Sequence, residues 1–269
     1  AGRTSCCEAV PWLSCYGLGD LSGSWGGAAA DLLAVPYADA MLVPLPAGVD
    51  PAEAASVGCN LVDAYRCVGP QLLAEPGADV LVMSGAFANI ALYATAIAVA
   101  FGSEVTFVDP SGASSAAARR IGARVVDDPG EVAPLAYPVT VDASMDPTLL
   151  QAALHATAPG GECTVSTMYV EPVTPLPLMA MFERCATLRT GQPHARALVP
   201  AVLELLASGR LPADLVTEAV LPWSDAPEAF GRGTGKVVLS RAPELTGLGS
   251  GLDRQAEVRR ERTRSVDHA

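Results

Sequence analysis

Short apolar runs alternate with longer segments of helical spacing through the middle of the chain, from residue 79 to residue 166. The runs that we expect to be strands are 80–83, 104–108, 124–126, 138–142 and 162–166. The segments that we expect to be helices are 90–101, 113–121 and 147–157. Continuous apolar strands that alternate with helices are typical of a parallel sheet covered on both faces. The pattern therefore predicts an α/β fold with a doubly wound parallel sheet.

The regions on either side of this alternation follow a different pattern. Segments 28–35 and 40–43 are short, apolar and bounded by prolines, which indicates short strands at a sheet edge. A helix is predicted at 198–208, and the runs at 216–221 and 236–240 that follow it are predicted to be strands of a separate layer. We therefore expect a partial, β-rich second domain beside the parallel sheet.

Asp50 and Pro51 mark the start of a further predicted helix that extends to residue 68. Aspartate is favoured at the N-cap of a helix, and proline at its first position. The first 27 residues are rich in Gly, Ser and Cys without a sustained period, so we expect a loop there. From residue 245 onward the chain is polar and mixes both signs of charge, which is typical of a disordered tail.

The composition narrows the class of protein. The chain has 269 residues, 50% of them hydrophobic and 17% charged, which suits a globular protein with a sizeable core. Its net charge of -12 argues against nucleic acid as a partner, because phosphate backbones attract basic surfaces. No apolar run approaches the roughly 20 residues of a membrane-spanning helix, and no signal peptide is apparent. Seven cysteines in a chain this long favour reduced thiols, so we expect a cytoplasmic protein without a membrane partner.

A candidate phosphate-binding loop follows the first strand of the alternating region. In such a fold this turn normally carries Gly-x-Gly-x-x-Gly, whose glycines let a dinucleotide pyrophosphate approach the N-terminus of the next helix. The six residues at these positions are Ser84, Gly85, Ala86, Phe87, Ala88 and Asn89. Ser84, Ala86 and Asn89 replace the three glycines, and Asn89 is the hardest to accommodate because its position requires close helix–strand packing. We predict that this loop binds the cofactor.

Asp109 ends the second strand of the alternating region, about twenty residues after the loop. A carboxylate at this point accepts hydrogen bonds from the adenosine ribose of NAD and repels the additional phosphate of NADP. Asp-Pro-Ser is also good turn chemistry, so the same residue could instead cap the turn that follows. The residues alone leave both roles open.

Several short motifs occur in the order found in one enzyme family. They are residues 36–39 (Pro-Tyr-Ala-Asp), 44–48 (Pro-Leu-Pro-Ala-Gly), 80–82 (Val-Leu-Val), 187–192 (Thr-Leu-Arg-Thr-Gly-Gln), 205–211 (Leu-Leu-Ala-Ser-Gly-Arg-Leu), 225–230 (Asp-Ala-Pro-Glu-Ala-Phe) and 235–239 (Gly-Lys-Val-Val-Leu). Their ordered combination resembles the zinc-type medium-chain alcohol dehydrogenases over residues 1–243. The resemblance implies a Rossmann sheet and NAD as cofactor.

The resemblance also implies a domain organisation. Residues 1–57 would be a remnant of the GroES-like catalytic domain, 58–192 the NAD-binding Rossmann domain, 193–243 a return to the catalytic domain and 244–269 a disordered tail. Relatives associate through the nucleotide domain, and segment 175–179 lies in the region that often supplies the edge. We therefore expect a homodimer or homotetramer that acts on a small-molecule substrate.

The resemblance places two zinc sites in the family, and this sequence departs from both. Cys59 matches one ligand of the catalytic zinc, whereas the other two ligands would lie upstream of Ala1. Within this chain alone, the pattern favours Cys59 as a buried small hydrophobic residue. The four structural-zinc positions hold Ala1, Thr4, Cys7 and Cys15, and two thiolates fall short of the usual four protein ligands. We predict no zinc at Cys7 and Cys15 and treat zinc as a doubtful cofactor of this chain.

Two charged residues complete the candidate site. Asp63 stands where the family often has a threonine close to the nicotinamide, although it could equally be a helix-surface aspartate. Lys236 matches a basic position that pairs with the cofactor pyrophosphate, although it could be a solvated residue at a strand end.

The function that follows is hydride transfer between a small alcohol or aldehyde and the nicotinamide of NAD, as in an alcohol dehydrogenase. Zinc polarises the substrate oxygen in this family as a Lewis acid. The alternative is a non-redox pseudoenzyme or binding protein that keeps the fold with degraded cofactor and zinc sites.

Overall fold

The computed structural model of the chain describes residues 2–11, 13–17, 19–232 and 235–241. Its strands are β1 (Val80–Ser84), β2 (Val105–Val108), β3 (Arg124–Val126), β4 (Tyr137–Ala143), β5 (Thr157–Val165), β6 (Thr187–Arg189), β7 (Thr217–Pro222) and β8 (Lys236–Ser240). Its α-helices are α1 (Ala38–Met41), α2 (Pro51–Ala54), α3 (Val62–Ala74), α4 (Ala88–Ala100), α5 (Ser115–Ile121), α6 (Pro147–Ala156), α7 (Leu178–Glu183), α8 (Ala195–Ala207) and α9 (Ala226–Arg232). The predicted tail, 244–269, lies outside the described residues, as does the end of the predicted return segment.

Six strands form one parallel sheet in the order β3-β2-β1-β4-β5-β6. Val80 of β1 pairs with Val105 on one side and with Val139 on the other, so β1 and β4 lie side by side at the centre. The chain runs outward from β1 to β3 and then crosses back to β4, which makes the space between β1 and β4 the point where strand order reverses. The predicted doubly wound parallel sheet is confirmed.

Alternate residues of the central strands enter two separate cores. Val80 and Val82 belong to a cluster with residues of α3, α4 and α8, whereas Leu81 and Met83 belong to a second cluster with residues of α6. All five residues of β1 are buried, because helices cover the sheet on both faces. This double cover explains why the strands are continuous apolar runs, and it leaves the strand ends as the places where polar chemistry can occur.

The chain divides into two compact units, which comprise the described residues up to Glu218 and those from Ala219. The first unit holds the six-stranded sheet with its helices. The second holds most of the two-stranded β7–β8 sheet and α9, and within it the guanidinium of Arg241 lies 4.1 Å from the centre of the Trp223 ring. The smaller sheet predicted from the last two apolar runs is thus present. The finer division at residues 57, 192 and 243 stays a prediction.

The predicted strands at 28–35 and 40–43 are wrong. Residues 28–35 have no regular secondary structure, and Ala38–Met41 forms the short helix α1. Tyr37 has a left-handed backbone with φ of 55°, which an extended strand cannot contain. Leu32 is 79% exposed, so this apolar segment does not pack into the core of the described part of the chain.

The helix predicted from residue 51 to residue 68 is interrupted. Asp50 caps α2 as expected, since its carboxylate accepts a hydrogen bond from the amide of Ala52 at 2.8 Å. A π-helical turn, Val57–Leu61, then separates α2 from α3.

Among the described residues, no helix is long and apolar enough to cross a membrane.

Candidate functional site

The candidate site lies at the carboxyl ends of β1 and β4, where the strand order reverses. In open α/β sheets, ligands bind in the crevice at this position. The loop from β1 to α4 and the turn from β4 to α6 lie next to each other at this position. Gly85 and Ala86 are exposed at the tip of the loop, while Phe87, Ala88 and Asn89 are half-buried.

Main-chain hydrogen bonds join the β1–α4 loop directly to the β4–α6 turn. The amide of Ala86 donates to the carbonyl of Ser144 at 3.0 Å, and the amide of Phe87 donates to the carbonyl of Ala143 at 3.1 Å. A Cβ atom added to Gly85 would lie 2.4 Å from the carbonyl oxygen of Ser144, which is closer than real contacts allow. The single glycine of the loop is therefore required by the neighbouring turn, at a position between those where the dinucleotide template places its glycines.

The first backbone amides of α4 have no hydrogen-bond acceptor within the helix. Ile90 and Ala91 are the first donors inside the helix, and both bond to the carbonyl of Phe87. The amides of Ala88 and Asn89 precede them and have no partner within the helix, as in every helix start. Such unpaired amides, together with the helix dipole, favour an anion at the start of α4.

Ser84 and Asn89 occupy the first and last glycine positions of the loop template. Ser84 is 2% exposed, and its hydroxyl lacks a hydrogen-bond partner among the described residues. A buried hydroxyl without a partner costs free energy, so this strand end favours any ligand or water that supplies one. Asn89 brings a half-buried amide side chain to the position at which glycine would allow close helix–strand packing.

Asp109 is enclosed by the turn that follows β2. Its Oδ1 accepts a hydrogen bond from the hydroxyl of Ser111 at 2.7 Å, and its Oδ2 accepts from the amide of Ser114 at 2.7 Å and the hydroxyl of Ser115 at 3.2 Å. Asp109 is only 1% exposed. It therefore caps the turn into α5, the second of the two roles left open by the sequence. Ribose binding stays a prediction, and a ribose hydroxyl would have to replace one of the serine donors.

Asp63 forms a buried ion pair with Arg66, one turn further along α3. The guanidinium of Arg66 donates to the Asp63 carboxylate and also to the carbonyl of Val165, at the end of β5, at 3.0 Å. Asp63 is 8% exposed, so the alternative of a helix-surface aspartate is wrong. Burial raises the pKa of Asp63, although Arg66 acts in the opposite direction.

A third carboxylate lies at this edge of the sheet and was missed by the sequence reasoning. Asp142, in β4, is fully buried and accepts hydrogen bonds from the Ser144 hydroxyl at 2.5 Å, the Ser144 amide at 3.1 Å and the Tyr169 hydroxyl at 2.7 Å. Burial raises the pKa of Asp142, and these donors partly offset the rise. A charged residue in a strand whose other residues are all uncharged was the only signal available in the sequence.

Cys59 is exposed in the π-helical turn before α3, so the alternative of a buried hydrophobic residue is wrong. Among the residues that the structure describes, no three His, Cys, Asp or Glu side chains are grouped so that they could hold a metal ion. Those residues therefore do not fit the catalytic zinc implied by the family resemblance. The assignment of Cys59 as a zinc ligand stays a prediction.

Lys236 is the first residue of β8 and belongs to the second compact unit. Its pairing with a cofactor phosphate stays a prediction.

The fold and the position of the loop define a class of protein. A parallel sheet in this strand order, with a strand–loop–helix unit at the reversal point, is the Rossmann-type dinucleotide-binding fold.

Comparisons with known proteins show which proteins the chain is similar to. The chain is 29% identical over 218 residues to a probable zinc-binding alcohol dehydrogenase of Mycobacterium tuberculosis, a match that covers 78% of this chain and 56% of that protein. The chain therefore spans little more than half the length of this curated relative. No protein-family model matches the chain.

Solved structures agree. An alcohol dehydrogenase from Thermus sp. ATN1 matches with a TM-score of 0.74 and 27% identity, over 84% of this chain and 70% of that one. A structure described as an NAD-dependent alcohol dehydrogenase matches with a TM-score of 0.64 and 26% identity, over 81% and 66% of the two chains. The resemblance inferred from the motifs is confirmed, and the chain is similar in sequence and fold to zinc-type alcohol dehydrogenases.

Proposed function

We propose that the chain is the nucleotide-binding part of an NAD-dependent oxidoreductase of the alcohol dehydrogenase type, which transfers hydride between a small alcohol or aldehyde and the nicotinamide. The observation that carries this proposal is the β1–loop–α4 unit at the reversal point of the sheet. The similar proteins support it, because the names of the matched proteins describe alcohol dehydrogenases, one of them NAD-dependent.

NAD fits the described site in part. The free amides at the start of α4, in Ala88 and Asn89, would hold one end of the pyrophosphate, and Asp109 would face the adenosine ribose once a serine donor is displaced. NAD, when bound, supplies the acceptor or donor of the hydride. The enclosure of Asp109 and the engagement of the Phe87 amide both act against tight binding.

Asp63 and Arg66 would set the charge at the nicotinamide end of the site. The family resemblance places a threonine at the position of Asp63, and a lone carboxylate there would stabilise the positive charge of oxidised nicotinamide. In this chain Arg66 neutralises that carboxylate and is itself fixed to the carbonyl of Val165. The ion pair therefore fixes the start of α3 against the end of β5 while adding little net charge.

The described residues provide no complete zinc site, so we assign no step of the reaction to a metal. The role of this chain that its residues support is to bind and orient the nucleotide.

A second candidate function is a non-redox binding protein on the same fold. Asp109 favours it, because its carboxylate is satisfied within the protein. The Phe87 amide favours it for the same reason.

Titration calorimetry with NAD and NADP separates the two candidates. The dehydrogenase proposal expects measurable NAD binding that is weak and exceeds NADP binding. Absence of heat with either cofactor, in protein whose folding is verified by circular dichroism, would shift the assignment to the non-redox protein.

We also propose that the chain forms a homodimer through the β6 edge. Residues around α7 and the preceding segment are apolar and exposed, namely Val170, Val173, Leu178, Met179 and Phe182. Exposed apolar patches of this kind mark interaction surfaces. Analytical sedimentation of the unmodified protein should show a dimer, and Phe182→Glu should dissociate it. The control is Leu135→Glu, at an exposed leucine elsewhere, which should leave the dimer intact. An unmodified protein that sediments as a monomer would refute the proposal.

A further inference from the structure

The turn between β4 and α6 is hydrogen-bonded to the loop between β1 and α4. We propose that Asp142, Ser144 and Tyr169 form a latch that holds the amides of Ala86 and Phe87 on the protein and withholds them from an anionic ligand. The existence of the latch follows from the geometry of the free protein. Only the identity of the ligand, the pyrophosphate of NAD, rests on the proposed function.

The turn is fixed internally by Ser144. Its hydroxyl donates to Asp142 at 2.5 Å and accepts from the amide of Asp146 at 3.0 Å, while its own amide donates to Asp142 at 3.1 Å. The next residue, Met145, has a positive φ of 63°, a conformation that residues other than glycine rarely adopt. The hydrogen bonds around Asp142 therefore hold a turn that would otherwise relax.

Tyr169 fixes the same turn from outside. It lies after β5, and its hydroxyl donates to the second carboxylate oxygen of Asp142 at 2.7 Å. Because Asp142 is fully buried, water cannot readily replace this donor. Removal of the Tyr169 hydroxyl should therefore loosen the turn while leaving the strands in place.

The β4–α6 turn also positions two carbonyl groups. The carbonyl of Ala143 accepts a hydrogen bond from the amide of Phe87 at 3.1 Å, and the carbonyl of Ser144 accepts one from the amide of Ala86 at 3.0 Å. An amide that donates to a carbonyl cannot donate to a phosphate oxygen at the same time. Binding through the Phe87 amide therefore requires the latch to open first, and the small open fraction lowers the apparent affinity of the ligand.

Hydrogen exchange of the nucleotide-free protein tests the latch. In Tyr169→Phe and in Ser144→Ala, exchange at the amides of Ala86 and Phe87 should be about tenfold faster than in the unmodified protein, as expected when a buried hydrogen-bond network loses a donor. The matched control is Tyr137→Phe, which removes the hydroxyl bonded to Thr106 at 3.1 Å in the same sheet. Exchange in the loop should be unchanged in this control.

NAD titration of the same variants provides the second readout. Tyr169→Phe should tighten NAD binding a few-fold, whereas damage to the fold would weaken it. The latch is refuted if loop exchange in both variants equals that of the control, and competition with the ligand is refuted if faster exchange comes with unchanged or weaker binding. If no protein in the set binds NAD, the dehydrogenase proposal fails, and the exchange data alone decide the latch.

Discussion

Two buried aspartates at the same edge of the sheet obtain their hydrogen bonds in different ways. Asp109, after β2, is 1% exposed, and all its donors come from the turn that follows it and the first residue of α5. Asp142, at the end of β4, is 0% exposed, and it combines a donor from its own turn with Tyr169, which lies 27 residues further along the chain. The first is a local cap, and the second joins two elements of the fold.

The comparison shows that an aspartate at the end of a strand is not by itself a ligand site. Both carboxylates are already satisfied by the protein, and both stand at the edge where a dinucleotide would bind. What differs is the consequence of removing them. Loss of Asp109 should affect the start of α5, whereas loss of Asp142 should affect the β4–α6 turn, the segment after β5 and the β1–α4 loop.

The largest expected effect is on stability. Asp142→Ala should lower the free energy of unfolding by about 3 kcal/mol, because buried donors of two elements lose a charged acceptor. Asp109→Ala should cost about 1 to 2 kcal/mol, as expected for a lost cap. Urea denaturation followed by circular dichroism measures both values.

Asp128→Ala is the control for that pair, since Asp128 caps an exposed turn through the amide of Gly130 at 2.8 Å. It should cost only about 0.5 kcal/mol. The distinction between a local cap and a long-range junction would be wrong if Asp109→Ala destabilised the protein more than Asp142→Ala.

The dependence of stability on pH should sharpen the contrast. Burial raises the pKa of Asp142 above its unfolded value, so the folded protein binds a proton at this site more readily than the unfolded chain. The contribution of this carboxyl to the free energy of unfolding is therefore most favourable at low pH and is lost as pH rises through the folded pKa. Relative to Asp142→Asn, the unmodified protein should gain stability as pH falls from 7 towards 4. A constant difference between the two proteins over this range would contradict the raised pKa.

Much of the fold could be predicted from the sequence, because its signals are local. The interval 236–240 was predicted with the bounds of β8, and Asp50 was correctly placed as a cap of α2, since apolar runs and caps depend on neighbouring residues. The edge strands at 28–35 and 40–43 failed, because a strand requires a partner and a short apolar run does not reveal whether one exists.

The candidate site was less predictable, because its contacts join distant parts of the chain. The loop could be located from the strand–loop–helix context, and the capping role of Asp109 could be anticipated from Asp-Pro-Ser. No spacing in the sequence connects Tyr169 to Asp142, or Gly85 to the carbonyl of Ser144. These contacts exist only after the sheet brings β1, β4 and β5 side by side.

Cofactor choice provides a smaller test of Asp109. If its carboxylate faces the ribose, it repels the additional phosphate of NADP, so Asp109→Ser should narrow the preference for NAD over NADP by about tenfold. Serine retains a hydroxyl that can accept from the amide of Ser114, which limits damage to the cap. Calorimetry with both cofactors measures the ratio. An unchanged ratio, or tight NADP binding by the unmodified protein, would leave Asp109 as a cap without a role in selectivity.

The smallest expected effect concerns Asn89, in the first turn of α4. Its half-buried side chain stands where the dinucleotide template has glycine, so it limits how closely the helix start can approach the strand and the pyrophosphate. Asn89→Gly should tighten NAD binding about threefold, even though glycine in a helix lowers stability by about 0.5 to 1 kcal/mol relative to alanine. Asn89→Ala is the matched variant, because it shortens the side chain but keeps the Cβ atom. If bulk beyond Cβ is the obstacle, calorimetry will give alanine and glycine the same gain; if the Cβ itself obstructs the approach, only glycine will improve binding. Weaker binding by both variants would mean that the Asn89 side chain contributes to the site, and the template comparison at this position would then be wrong.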